Sequence, residues 1–166
     1  DLVRTLECRA FNAWPALQTL VHDGWLLRFA RVEASFGHPV APQVLRKDLP
    51  RDRPIHMLNL IKFRDLADYP EGHPNHGKGL TGREAYAIYY EGFQRVVAQD
   101  GAAMVWEAPI ECAVTGPADE WDEAFVMGYP NSAVFMAMVK NEEYVRDIVP
   151  HRTAAVADSR LIRFGG

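Results

Sequence analysis

The chain of 166 residues carries 18 Lys and Arg against 22 Asp and Glu, a formal charge of −4, with 48% hydrophobic and 11% aromatic residues. A chain of this length buries roughly 70% of its unfolded surface, so one compact core needs no metal or disulfide, and whole-chain disorder is excluded. No block of Lys or Arg is present, so nucleic acid and anionic membrane, which select concentrated positive charge, are not expected as partners.

The N-terminal stretch reads as an appendage, residues 1–52. Asn12 is placed to cap a short helix over 13–21, and Gly24 opens a strand over 25–31. The stretch starts on acidic Asp1 with no basic segment leading into an apolar one, and the longest apolar run of the chain, 133–139, is far short of a membrane span, so the expectation is a cytoplasmic protein. Two prolines and three charges at 49–54 close the appendage. Cys8 and Cys112 lie in apolar surroundings and are expected as buried, reduced thiols.

The main domain, residues 53–166, begins with the nearly continuous apolar run Ile55 to Phe63, a central strand with Asn59 in its middle. Residues 64–81 carry two prolines and three glycines and form a long loop, a length that points to function or mobility. Thr81 and Glu84 make a capping box for a helix over 82–100, whose stripe is Ala85, Tyr89, Phe93, Val96 and Val97. A strand follows over 102–115, with Met104, Trp106, Ile110, Cys112 and Val114 on one side and a bulge or sheet edge at Pro109. A third strand runs from Glu123 to Tyr129, and Ser132 is placed to cap a helix through Val139. A second helical stretch over 142–158, bent at Pro150, leads to a closing strand over 160–164. The order βαββαβ defines an α+β, ferredoxin-like fold: a four-stranded antiparallel sheet with helices on one face. The first strand offers apolar residues to both faces, so a homodimer through facing sheets is expected.

Several motifs fail on context. Gly72 to Gly79 nearly spells a P-loop, but Gly79 stands where Ser or Thr must coordinate magnesium, and the loop does not spring directly from a strand. His73 and His76, with Glu71, have a metal-ligand spacing, yet a solvated loop is the favoured reading and no metal or other cofactor is expected. Ser132 lacks the elbow of a hydrolase nucleophile.

More informative are polar and amphipathic residues set into apolar elements. Asn59, Asp122, His151 and Arg152 are the candidate catalytic residues; Lys62, Tyr86, Tyr90, Trp106, Trp121 and Tyr129 are the candidate ligand-binding residues. Buried polar groups require partners, and an aromatic pocket with a few convergent donors is the usual make-up of a small-molecule site. In this reading Asn59 and Arg152 orient an oxyanion and His151 or Asp122 moves a proton. Taken singly, each residue is also explained by ordinary packing, and His151 and Arg152 by a helix-surface pairing with Glu142 or Asp147.

The segments Met57 to Phe63, Gly82 to Tyr86, Trp121 to Glu123, Tyr129-Pro130, Met138, Glu143-Tyr144, His151-Arg152 and Asp158 to Ile162 resemble, in order, the domain of unknown function 1330 family over about residues 53–164. The resemblance implies a dimeric α/β barrel related in fold to antibiotic-biosynthesis monooxygenases and EthD-like proteins, and implies no established reaction. Ala13 to Leu17 with Asp23 to Phe29 resembles the opening of GNAT-type N-acetyltransferases, but the likeness stops at Arg31 and acetyl transfer is not expected without a glycine-rich pyrophosphate loop. The functional expectation is a small-molecule-binding dimeric α/β-barrel protein, acting without a bound cofactor on an aromatic or carbonyl metabolite. The alternative is a non-catalytic module that contacts a protein through the 64–81 loop or the appendage.

Overall fold

The structure, a computed structural model, describes residues 49–97, 100–116 and 121–165. The helix expected over 13–21, the strand over 25–31 and Cys8 lie outside these residues. The elements are β1 (Ile55–Phe63), α1 (Gly82–Val97), β2 (Ala103–Pro109), β3 (Glu123–Tyr129), α2 (Ser132–Lys140), α3 (Val149–Ala155) and β4 (Val156–Gly165), with a π-helical turn, Tyr144–Ile148, ahead of α3. The four strands form one sheet in the order β2-β3-β1-β4, every pairing antiparallel. This is the expected α+β, ferredoxin-like arrangement.

The central strand alternates strictly. Ile55, Met57, Asn59 and Ile61 are buried under the helices, while His56, Leu58, Leu60 and Lys62 face the other way and are half-buried. Register extends this division across the sheet: Asn59 lies between Phe125 and Leu161, and Ile61 between Glu123 and Ser159. α1 seals the helix side with Ala85, Tyr86, Tyr89, Phe93 and Val97, joined by Phe135, Met138, Val139, Tyr144 and Ile148. The open face carries Leu58, Leu60 and Val126 together with the well-exposed Val105, Trp106, Ile162 (43%) and Phe164 (46%). Among the described residues no element covers this face, and its apolar character is unusual for an open sheet surface.

Several boundaries differ from the sequence reading for identifiable reasons. β2 stops at Pro109, and a register shift between Met104 and Trp106 turns Met104 toward the helices and Trp106 to the open face, so the two do not share a side. Beyond Pro109 the chain leaves the sheet: Cys112 is exposed, not buried, and Val114 is almost fully exposed. The α2 cap is Asn131, whose side chain accepts from the Ala133 and Val134 amides at 2.9 and 3.1 Å; Ser132 is the first helical residue. α1 is described through Val97, with residues 98 and 99 of the expected helix outside the described residues, and α3 ends at Ala155, where β4 begins at once. The bend expected at Pro150 is the π-helical turn before it: Pro150 has no amide to offer Arg146, and the Val149 amide reaches back to the Tyr144 carbonyl. Among the described residues no helix is long and apolar enough to cross a membrane.

The tightest crossing is at Gly82. A Cβ there would lie 2.4 Å from the Arg64 carbonyl oxygen and 2.6 Å from that of Ala155, where β1, α1 and α3 meet. Backbone atoms cannot swing aside as a side chain can. Gly82→Ala is therefore expected to cost about 2 to 3 kcal/mol by overpacking. At Gly77 nothing lies within 4 Å of an added Cβ and only its φ of 71° resists, so Gly77→Ala is expected to cost roughly 1 kcal/mol. Equilibrium urea unfolding of both variants checks the order; equal costs contradict it.

Candidate functional site

A narrow cleft lies between the sheet, α1 and α2. Asn59, Phe125, Met127, Tyr129 and Leu161 line it from the sheet, Tyr89, Tyr90 and Phe93 from α1, and Phe135 and Met138 from α2. Its enclosed volume of about 10 Å3 is room for one water molecule. The side-chain amide of Asn59 is buried in this apolar and aromatic wall and donates to the Met57 carbonyl at 3.2 Å. Tyr129 packs edge-on against Phe135, and burial pushes its phenol pKa up.

Behind Tyr89 lies a second polar group of the core. Arg152 is 2% exposed and donates from Nη2 to the Ser159 hydroxyl at 3.1 Å. The hydroxyls of Tyr89 and Tyr144 meet at 3.1 Å, and the Tyr86 and Tyr89 rings stand 5.1 Å apart. Burial raises the pKa of all three phenols, with the Arg152 charge pulling weakly against the rise. They therefore stay neutral hydroxyls, able to donate, at any physiological pH. The Tyr86 hydroxyl is buried with no hydrogen-bond partner among the described residues. Its neighbour Glu123 is half-buried, its pKa raised by burial against the pull of an ion pair with Arg83 at 2.7 Å.

The candidate residues thus divide into groups. Asn59, Tyr90 and Tyr129 line the cleft, and Tyr89 joins it to Tyr86 and Arg152. Arg152 is no surface partner of Glu142 or Asp147: it points into the core, and Asp147 pairs with Arg146 at 2.6 Å instead. Asp122 and Lys62 close the far end of the sheet. The Asp122 carboxylate accepts from Lys62 Nζ at 2.8 Å and from the Phe63 amide at 2.7 Å, while its own amide donates to Ile61 at 2.8 Å. Burial works to raise the Asp122 pKa, but these two donors outweigh it and hold it below the usual carboxylate range. Trp121 lies under the Arg160 guanidinium at 5.1 Å, and Trp106, 53% exposed, stands on the open face, across the sheet from the cleft.

His151 belongs to a different neighbourhood. It lies against the 64–81 loop, with Nδ1 at 2.8 Å from the Tyr69 hydroxyl. That loop is not a loose lid. Ala67 and Asp68 donate to Leu80 and Ala154 at 2.7 and 2.9 Å, and Tyr69 is buried in the core. The ring nitrogens considered for a metal are engaged locally: His73 Nδ1 accepts the Asn75 amide at 3.1 Å, and His76 Nδ1 donates to the Tyr69 carbonyl at 2.7 Å. Among the described residues no group of three or more His, Cys, Asp and Glu is arranged to hold a metal ion.

Tyr89, Tyr144, Ser159 and Tyr69 are site residues that sequence reasoning did not single out. Tyr89 was legible as part of the buried helical stripe, and its hydroxyl was the overlooked signal: a buried phenol needs a partner. Ser159 has significance only through its register opposite Ile61, under Arg152.

Fold and cleft together define a ferredoxin-like α+β protein whose helix-covered side holds buried polar groups within an aromatic wall. The solved structures similar to it include the following two. The RPA0582 protein of unknown function from Rhodopseudomonas palustris is 38% identical over 79% of this chain and 96% of that one, with a TM-score of 0.67. The methylated RPA0582 protein is 40% identical over 78% and 93%, with a TM-score of 0.67. The chain belongs to the family of that protein. No protein-family model matches the chain, and no curated protein matches it.

The unpartnered hydroxyl gives a direct test. Tyr86→Phe removes a buried hydroxyl that makes no close hydrogen bond and feels only the nearby Arg152 guanidinium, so stability is expected to change by less than about 1 kcal/mol. Tyr144→Phe breaks the pair with Tyr89 and is expected to cost about 1 kcal/mol. Thermal and urea unfolding of both variants check the contrast, which fails if Tyr86→Phe is the more damaging.

Proposed function

We propose that the protein binds a small aromatic or carbonyl-containing metabolite in the cleft between α1, α2 and the sheet, and polarises it without a bound cofactor. The observation that carries this reading is the Asn59 amide, buried in an otherwise apolar and aromatic wall that Tyr89 links to Arg152. At the cleft the buried Asn59 amide and the neutral Tyr89 and Tyr129 phenols are donors suited to a carboxylate or to a carbonyl that becomes an enolate, and the Arg152 guanidinium, outside the lining, adds its positive charge. A wall of rings supplies the affinity, and the few donors fix orientation. His151 and Asp122 do not enter this proposal, because their contacts are with Tyr69 and with Lys62 and Phe63.

The proposed assembly is a homodimer through facing sheets. Its support is the open face, where Leu58, Leu60, Val126, Ile162 and Phe164 form an apolar surface on a sheet whose other side is already covered. A second copy supplies a matching surface by two-fold symmetry and closes the assembly. The resemblance to the domain of unknown function 1330 family agrees with this arrangement. Sedimentation at micromolar concentration is expected to give a dimer, and Ile162→Glu, which sets a charge in the middle of that face, a folded monomer. A wild-type monomer overturns the assembly.

A second reading, a non-catalytic module, is favoured by one observation: the cleft as it stands holds a single water, so a ligand must displace side chains to enter. A thermal-shift screen of aromatic and 2-oxo carboxylates separates the two. Binding to the native state is expected to raise stability, by ~2.7 kcal/mol at a hundredfold excess over the Kd. The nearly isosteric Asn59→Leu variant is expected to lose the shift. If no compound raises the melting temperature, or if Asn59→Leu responds as the wild type does, the cleft is not the site.

A further inference from the structure

We propose that the cluster of Tyr69, His73 and His151 is a pH-released latch, which holds the 64–81 loop against α3 at neutral pH and frees it in mildly acidic solution. This inference does not depend on the proposed ligand cleft. The loop is fastened at its base by backbone hydrogen bonds: Arg64 and Asp68 donate to Ala155 and Ala154, both at 2.9 Å, and Ala67 donates to Leu80 at 2.7 Å. Beyond the base, its attachment among the described residues centres on one peg. Tyr69 is buried, its hydroxyl bonds His151 Nδ1 at 2.8 Å, its ring stacks on His73 at 4.4 Å, and its carbonyl takes the His76 proton at 2.7 Å. The tip past Tyr69 turns on Gly72, Gly77 and Gly79, all at positive φ, and is otherwise exposed apart from the half-buried His73 and Asn75.

The histidines make the peg sensitive to protons. His151 and His73 stand edge to face with ring centroids 5.4 Å apart. Partial burial and the neighbouring His73 together lower the His151 pKa, so the ring is neutral at pH 7. The other ionisable groups around it do not offset a charge. On its own helix Arg152 turns into the core toward Ser159, and one turn earlier Asp147 is held by Arg146. From α1, Tyr86 and Tyr89 lie on the Arg152 side. From the loop, Asp68 and Glu71 are exposed, and among the described residues no carboxylate pairs with His151. The bond to Tyr69 itself survives protonation, because the phenol oxygen accepts from an imidazolium as readily as its proton serves the neutral ring. What is lost is the fit of a charge beside His73 in a half-dry site.

The direction follows from linkage. A His pKa lowered in the closed loop means that the open loop binds more protons, so closure is favoured above the free imidazole value of about 6.5 and weakens as pH falls through the lowered one. At pH 5.5, one unit below the free value, the opening constant rises by at most about tenfold.

Hydrogen exchange at the Ala67 and Asp68 amides, corrected for the intrinsic rate, reads this opening at pH 7.5 and 5.5 on the intact chain. Protection is expected to fall several-fold at the lower pH in the wild type. His151→Gln keeps a partner for Tyr69 without titrating and is expected to abolish the fall, while His73→Gln reduces it. Equal wild-type protection at the two pH values, or a fall that persists in folded His151→Gln, overturns the latch. Should His151→Gln not fold, an NMR titration of the wild-type His151 ring decides: a midpoint below 6.5 supports the latch, and one at or above 6.5 overturns it.

Discussion

The central strand sets the terms for the rest of the molecule, because it presents apolar side chains to both faces and the described helices cover one of them. On the helix side Ile55, Met57 and Ile61 meet α1, α2 and α3, and this contact accounts for the packed core. On the other side Leu58 and Leu60 are flanked by Val126 on β3 and Ile162 on β4, with Phe164 farther along. A sheet that is apolar on its uncovered side has to be covered by something of matching shape.

The second feature is a line of polar groups set into the helix-side core. Asn59 sits at the middle of β1, Ser159 one pleat further on β4, and Arg152 reaches down from α3 onto Ser159. Above them, Tyr86, Tyr89 and Tyr144 hold three neutral phenols in a region where leucine and phenylalanine would pack with no desolvation cost. Burying a guanidinium, and a Tyr86 hydroxyl with no close hydrogen bond, costs stability that an all-apolar core of the same shape would keep. The neighbourhood is rigid as well: α1 can approach Arg64 and Ala155 only through the bare backbone of Gly82.

Much of this architecture was legible in the sequence. The apolar run Ile55–Phe63 and the strand Glu123–Tyr129 stand at the expected residues, and the Thr81 and Glu84 capping box forms, with the Thr81 amide donating to Glu84 at 2.8 Å. What periodicity could not reveal were local irregularities. One extra residue in β2 moved Trp106 to the opposite face from Met104, and a missing amide at Pro150 widened the helix before it. The candidate residues were chosen as polar interruptions of apolar elements. That criterion picked out Asn59 and Arg152, both buried on the helix side, and also Asp122, whose carboxylate closes the end of the sheet. It passed over Tyr89 and Tyr144, because a tyrosine in an apolar stripe reads as core until its hydroxyl is located. The Tyr69 cluster was invisible for another reason. Tyr69 and His151 are 82 residues apart in the chain and meet only when α3 packs against the loop.

Native mass spectrometry of gently purified protein reads in one spectrum whether a homodimer carries a small aromatic or carbonyl-containing metabolite under α1 and α2. The expected mass is that of two chains together with a small organic molecule, which is absent when Asn59 is replaced by Leu. A bare single-chain mass contradicts it, since the open sheet face would then be covered by some part of the same chain and the cleft would be packed core.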